Sequence, residues 1–451
     1  MSRTISTADK KPNEMTRFYS RKYGLANSFK EISMNHLSVS TEGYSIAIGN
    51  VIPMWNTVIG NARVGLWEGG AVALNRERSR VKAVGEFVER YCATCDGSLH
   101  VKKMIFDSFD NLNEKGVHCL DQHDLIHFED RLYEDPEFPL SRYFSNLPIS
   151  WVEGENLISG NRVLLPAQKV FLSYPLQNME QFHLWGLSTG LACGMDFSQA
   201  VLNAVCEVIE RDSFMLTWRL KISGKRIEVT NVRNEELIAL YSHILKHLVG
   251  EDELHIYDIS KTVGVHTILS FIRNNLPDAF GLIVATASHP NPEIALLKSL
   301  EELCQTQVFA YSSLIKDRER ECQRMKEQDI TELKKHTLYY STGRNSRNID
   351  FISNSGENIR LCDMADYSHG SDKESLKYLI NQFKSKKQRV FIADITKPEI
   401  REEGLCVIKA IIPGYVDLDA NNRFKQLKSS RLRMYQKQYD VEINYAPHPF
   451  P

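Results

Sequence analysis

The sequence predicts an α+β fold in which sheets and helices form a layered, partly pseudo-repeated domain. Three observations lead there. Apolar runs of strand length recur, among them HIYDI (255–259), VHTILSFI (265–272) and GLIVATAS (281–288). Three amphipathic helical segments stand among them and resemble one another. No run of 18 apolar residues occurs, so no spanning helix is expected, while 42% hydrophobic and 25% charged residues suffice for a sizeable core.

In chain order, residues 1 to about 22 are polar, carry no apolar signal-peptide region and read as a short arm. Residues 44–74 read as short strands and turns: YSIAIGNVI, WNTVIGNARVG, then the pair Gly69-Gly70. The pattern turns helical from about Asn75 to Ala93. Residues 101–180 mix short apolar runs with acidic and aromatic stretches, and LISGNRVLLPAQKVFL reads as a hairpin about Ser159-Gly160. Ser198–Leu216 is helical again. The strands HIYDI, VHTILSFI and GLIVATAS follow, then Pro292 and a helix to about Leu314. The charged stretch 315–345 reads as a solvated helix plus loop, and 370–386 as a lysine-containing surface helix. RVFIADI (389–395) and LCVIKAIIP (405–413) are strands, and the alternate prolines of APHPFP favour an extended end. Residues 1–59 are taken as a strand and arm region of the same unit as 60–451.

A balance of 55 Lys plus Arg against 57 Asp plus Glu argues against a protein that coats nucleic acid, though not against a local phosphate site. Nine cysteines spread from Cys92 to Cys406 make no compact disulfide framework, which points to a reducing, cytoplasmic setting without membrane attachment. Cys92 and Cys95 form a lone CxxC; His100, His118, Cys119 and His123 have no zinc-site spacing, and ordinary thiols are favoured. P-loop, kinase and HExxH signatures are absent. GLSTG (186–190) is either a glycine-rich turn approaching a ligand or a plain loop, and His183 and His289 read as structural.

The three helical segments are KAVGEFVERYC (82–92), NAVCEVIERDSF (203–214) and KSLEELCQTQVF (298–309). Each places a small residue three before a glutamate: Ala83 before Glu86, Ala204 before Glu207, Ser299 before Glu302. On a helical wheel Lys82, Glu86, Glu89 and Arg90 share a face, as do Asn203, Glu207, Glu210 and Arg211, and again Lys298, Glu302 and Gln305. The opposite faces are apolar, so each helix is expected to bury one side and present carboxylates on the other. One such helix is explained by solvation and i,i+4 pairing. Two near-copies of ExxER suggest convergence, where the glutamates would repel unless cations sat between them. Mg2+ takes carboxylate oxygens together with nucleotide phosphates, and arginines complete the charge balance.

At these helices the chain resembles the YcaO family. The resemblance is carried by RSRVKAVGEFVERYC, LSTGLACGMDFSQAVLNAVCEVIERDSF and HPNPEIALLKSLEELCQ, with FIADITKPEI and GLCVIKAIIPG in support, and runs from about residue 60 to the C-terminus. It implies ATP and Mg2+ as cofactors. It assigns nucleotide or metal contacts to Lys82, Glu86, Glu89, Arg90, Asn203, Glu207, Glu210, Arg211, Glu302 and Gln305, with Glu86, Glu89, Glu207 and Glu210 on the metal. Two positions depart from the pattern. Lys82 replaces a usual Ser, and Phe309 stands where an Arg often follows, leaving Arg344, Arg360 or Arg431 to replace it.

The ending Pro447-His448-Pro449-Phe450-Pro451 resembles that of azoline-forming cyclodehydratases, and the resemblance makes the Pro451 carboxylate a candidate catalytic base. The implied reaction is ATP-dependent cyclisation of Cys, Ser or Thr in a ribosomal precursor peptide to thiazolines or oxazolines, through phosphorylation of the backbone amide oxygen. Thioamide or amidine formation is the alternative within the family, and a non-catalytic peptide-maturation scaffold the alternative outside it. No leader-binding domain of several hundred residues is evident, so an E1-like partner is expected. An FMN-dependent azoline dehydrogenase and homodimerisation are further implied expectations, with a bacteriocin-like product.

Overall fold

The computed structural model describes residues 25, 28–34, 41–49, 67–94, 104–174, 176–177, 180–248, 250, 252–274, 281–313, 324–341 and 343–450. Three sheets account for the strands. The first is antiparallel, in the order β1 (Ser28–Met34), β2 (Thr41–Gly49), β3 (Trp67–Ala73). The second runs β4 (Ile105–Ser108), β5 (Pro148–Asn156), β13 (Phe391–Asp394), β14 (Cys406–Ile411), β7 (Leu191–Gly194), with β6 (Asn161–Pro166) also paired to β5. The third runs β11 (Leu282–His289), β10 (His266–Arg273), β9 (Glu253–Asp258), β8 (Lys225–Glu228), β12 (Asn358–Arg360). The hairpin about Ser159-Gly160 is β5–β6, with Asn156 opposite Asn161, and the three consecutive strands read from 255 to 288 are β9, β10 and β11.

The helices are α1 (Arg76–Cys92), α2 (Phe109–Glu114), α3 (Ala167–Val170), α4 (Phe197–Arg219), α5 (Glu235–His247), α6 (Pro292–Ser313), α7 (Leu333–Tyr340), α8 (Asp372–Ser385), α9 (Pro398–Glu402) and α10 (Ser430–Tyr439). Each long site helix starts where its sequence allows. The Asn75 side chain accepts from the Glu77 and Arg78 amides at the head of α1, and Asp196 accepts from the Gln199 amide at the head of α4. α1 packs on β3 and reaches β7, α4 lies between β7 and β14 on one side and β10 and β11 on the other, and α6 packs on β10 and β11 and reaches β3. Each of these helices therefore bridges two sheets.

Three expectations change here. Gly69 and Gly70 do not end a turn but lie inside β3. A Cβ on Gly69 would stand 2.3 Å from the Ala83 carbonyl oxygen, so glycine is what lets β3 press onto α1. Helix α4 presents its carboxylate side only in part: Glu210 is buried, as are Asp212 and Arg219 beyond that face, while Asn203, Glu207 and Arg211 are half-buried, because sheets cover the helix on both flanks. In the stretch 315–345, residues 314–323 lie outside the described residues, but His336–Tyr340 of α7 is buried rather than solvated.

What covers α7 is the C-terminal tail. Tyr340 Oη donates to the Pro447 carbonyl at 2.6 Å, and the His336 ring lies parallel to His448 with centroids 3.9 Å apart. Trp218 Nε1 donates to the Ala446 carbonyl at 3.1 Å. Arg219, 1% exposed, donates to the Asn444 carbonyl at 2.8 Å while pairing with Asp419 at 2.5 Å. The tail's carbonyls are taken up by the ends of α4 and α7: Arg219 and Trp218 serve Asn444 and Ala446, Tyr340 and His336 serve Pro447 and His448.

Candidate functional site

Each sheet ends at an edge strand, β3, β7 or β11, whose main-chain N–H groups lack a strand partner on one side. These edges face the three bridging helices, and glutamates take up their amides. Glu86 Oε2 accepts from Gly70 N of β3 at 2.8 Å. Glu89 Oε1 accepts from Cys193 N of β7 at 2.8 Å. Glu210 Oε2 accepts from Ser288 N of β11 at 3.1 Å, while its Oε1 accepts from Thr286 Oγ1 at 2.9 Å. Glu207 Oε2 accepts from Gly190 N, just before β7, at 3.1 Å. The four glutamates expected to hold metal are thus all anchored by one backbone amide, an arrangement that fixes a carboxylate's direction while leaving lone pairs free.

Arginines one turn on complete the helix faces. Arg90 Nη2 donates to Glu86 Oε1 at 3.0 Å, and Arg211 Nη2 to Glu207 Oε1 at 3.4 Å. Arg211 Nη1 lies 3.0 Å from Glu210 Oε1 but out of line for a hydrogen bond, and it has no hydrogen-bond partner among the described residues. That buried donor suits an anionic oxygen.

Electrostatics tie the faces together. Burial pushes Glu89 well above the usual carboxylate range against its Cys193 hydrogen bond, and the charges of Glu207 and Glu86 add to the rise. Burial lifts Glu210 to about 7 against Arg211, with Glu207 and Glu302 adding to it. Glu86 is raised by burial against Arg90, with Glu302 contributing, and Glu207 is raised by burial against Arg211, Lys409 and Arg90. Glu302 on α6 thus acts on both α1 and α4, which is the convergence the helical wheels suggested. The surplus is negative and made of hard oxygen donors, so the residues present fit a divalent cation such as Mg2+. Among the described residues no three His, Cys, Asp or Glu side chains form a ready-made metal cage. Mg2+ bound with a nucleotide needs only one or two carboxylates, the phosphates supplying the rest.

The remaining sequence candidates are placed as follows. Lys82 Nζ donates to Glu301 Oε2 at 3.1 Å and lies 3.7 Å from Glu302 Oε1. Burial works against its ammonium, but Glu301 and Glu302 together raise its pKa. Asn203 Oδ1 accepts from Lys298 Nζ at 3.1 Å, which links α4 to α6. Gln305 is half-buried one turn beyond Glu301. Pro451 lies outside the described residues, but Phe450 before it is buried, with Arg211 stacked 4.3 Å above its ring. Of the arginines considered as replacements at Phe309, Arg360 pairs with Asp363 at the surface and Arg431 is held by Asp212 at 2.6 Å; the Arg344 side chain lies outside what is described. His183 Nδ1 donates to the Ser141 carbonyl at 2.9 Å, and His289 Nδ1 accepts from the Asn291 amide at 3.0 Å.

Sequence reasoning missed Glu301, Lys409 and the backbone amides. Glu301 is 2% exposed and joins Arg78 at 2.6 Å to Lys82. Lys409 is fully buried on β14. The doublet Glu301-Glu302 was the available signal for the first, and a lysine inside LCVIKAIIP for the second.

A family model described as YcaO cyclodehydratase, ATP- and Mg2+-binding, matches residues 71–416. An uncharacterized protein of Methanothermobacter thermautotrophicus is 26% identical over 270 residues, covering 59% of this chain and 65% of that protein. An uncharacterized protein in the tfuA 3′ region of Rhizobium leguminosarum bv. trifolii is 29% identical over 174 residues, covering 36% and 40%. The chain therefore spans less than two thirds of either curated relative. Among solved structures, a heterocyclase in complex with substrate and cofactor superposes with a TM-score of 0.75 at 17% identity, over 98% of this chain and 57% of that one. YcaO from Methanopyrus kandleri bound with AMPPCP and Mg2+ gives 0.59 at 18% identity, over 86% of each chain. A chain of the E. coli microcin synthetase McbBCD complex with pro-MccB17 bound gives 0.56 at 15% identity, over 93% and 100%. At these identities the structures establish the shared fold.

Proposed function

The chain belongs to the YcaO family of ATP-dependent, peptide cyclodehydratase-type heterocyclases, and we propose that it cyclises Cys, Ser or Thr side chains of a ribosomal precursor peptide onto the preceding backbone carbonyl. The observation that carries this reading is the set of amide-anchored glutamates from α1 and α4, joined electrostatically to Glu302 of α6.

In this reading Glu86, Glu89, Glu207 and Glu210 hold Mg2+. Arg90 and Arg211 face the phosphate oxygens, while Lys82, Asn203, Glu302 and Gln305 line the nucleotide. The thiol or hydroxyl adds to the amide carbonyl to give a hemiorthoamide. ATP with Mg2+ supplies the phosphoryl group that turns the hemiorthoamide oxygen into a leaving phosphate, since an amide oxygen leaves poorly unaided. Phosphate then leaves as the amide nitrogen gives up its proton to form the ring C=N, so the peptide loses the elements of one water, which end in the phosphate, and ADP is the other product. The proposed base is the Pro451 carboxylate, a reading supported by the preceding residue, Phe450, which packs against Arg211. Leader recognition falls to a separate E1-like protein, and a flavin dehydrogenase would act only after the azoline has formed.

The test is the purified chain with its partner and precursor, ATP and Mg2+, followed by mass spectrometry. The expected product has lost one water per ring, with one ADP formed for each. Replacement of backbone oxygen by sulfur, dependent on added sulfide, would instead identify thioamide formation. Unchanged peptide with no ATP consumption in the partnered assay would leave only a scaffold.

A further inference from the structure

Of the four anchored glutamates, three take their amide from a regular edge strand, where sheet register fixes the donor: Gly70 in β3, Cys193 in β7 and Ser288 in β11. Glu207 is different. Its donor, Gly190 N, stands in the 186–190 turn before β7 begins. A turn amide needs fixing by something other than a ladder.

The same peptide unit supplies the answer. The Thr189 carbonyl, on the other end of the peptide whose N–H serves Glu207, accepts from Lys409 Nζ at 2.6 Å. Lys409 also donates to the Leu187 carbonyl at 2.6 Å. The next residue on β14, Ala410, donates its amide to the Gly190 carbonyl at 2.7 Å. Gly190 has φ of +80°, and a Cβ there would stand 2.4 Å from the Ala410 carbonyl oxygen, so β14 holds the turn in one orientation that only glycine allows.

Lys409 is 1% exposed, an expensive place for an ammonium unless its charge is used. Burial and the neighbouring Lys169 push its ammonium down to about 7; the negative groups that hold the proton against them are Asp417 and Glu207, and Asp417 is already paired with Lys169. An ammonium on the carbonyl end of a peptide polarises it and strengthens donation from its N–H end. A buried lysine and a half-buried glutamate are thus joined across a single peptide plane.

We propose that Lys409 is a positioning residue for Glu207, holding that carboxylate oriented and charge-balanced for the nucleotide's Mg2+ through the Thr189–Gly190 peptide. The inference rests on the reading of Glu207 as part of the Mg2+–nucleotide site. It is tested by titrating the full chain with Mn2+ in the presence of AMPPCP and following bound Mn2+ by electron paramagnetic resonance. K409M is expected to weaken Mn2+ retention about 10-fold or more, the size usual for residues that support a metal ligand. K409M added to E207Q is expected to cost nothing further, because both act on one carboxylate. K409Q, which keeps a donor and loses the charge, replaces K409M if thermal melting shows that K409M does not fold. Equal Mn2+ retention by wild type and the Lys409 variant, or full additivity with E207Q, overturns the inference alone. A wild-type chain that retains no Mn2+ with AMPPCP overturns the reading of the site itself.

Discussion

Replacing Glu207 by Gln lowers Mg2+-dependent ATP turnover in the partnered reaction by about 100-fold or more, comparable to losing one preorganised charge at a transition state. Gln keeps the shape and an oxygen able to accept from Gly190 N, so the change removes charge rather than packing. The carboxylate is held half-buried at some cost, since desolvation raises its pKa despite Arg211, Lys409 and Arg90. E207Q should therefore melt no lower than the wild type while losing activity, the pattern of a residue kept for function at the expense of stability. Undiminished turnover, or a loss explained by unfolding in the melt, contradicts the role.

Adding one glycine after Pro451 is the second change with a large expected effect. It leaves Pro447, His448 and Phe450 free to make their contacts with Tyr340, His336 and Arg211, and moves the terminal carboxylate. Loss of a positioned base costs roughly 100- to 10,000-fold, and the extended chain is expected to fall in that range with its melting temperature unchanged. Phe450→Ala is the structural counterpart: it removes a buried ring beside Phe214 and the cation–π contact of Arg211, costing about 3 kcal/mol or more in stability. An extended chain that cyclises peptide at the wild-type rate would remove the carboxylate from the mechanism and leave the tail a purely structural clamp.

The parts of the site legible in the sequence are those set by helix period. Glu86 with Glu89, and Glu207 with Glu210, are three residues apart, and their arginines follow at i+4, so one wheel displays each set. The strands from 255 to 288 were legible because apolar runs of the right length are separated by turn residues. Long-range anchors were not. Nothing local to Glu89 announces Cys193, and nothing local to Gly190 announces Lys409; both pairings arise when edge strands meet helices distant in sequence. The exposure of α4 was misread for a related reason. A wheel divides a helix into two faces, but α4 is clasped by two sheets, so Glu210 on its charged side is interior as well. The burial of α7 depended on a tail more than a hundred residues later, although the aromatic run Leu338-Tyr339-Tyr340 was a hint that the segment is not wholly solvated.

The central claim is that this YcaO chain activates a backbone amide oxygen by phosphorylation between its anchored glutamates. The most direct measurement places a heavy oxygen isotope in the precursor's backbone carbonyl at a cyclised position and follows it through the partnered reaction. The account predicts that the isotope appears in the inorganic phosphate released, one atom for each ring formed. Its appearance in water, with unlabelled phosphate, would contradict phosphorylation of the amide oxygen.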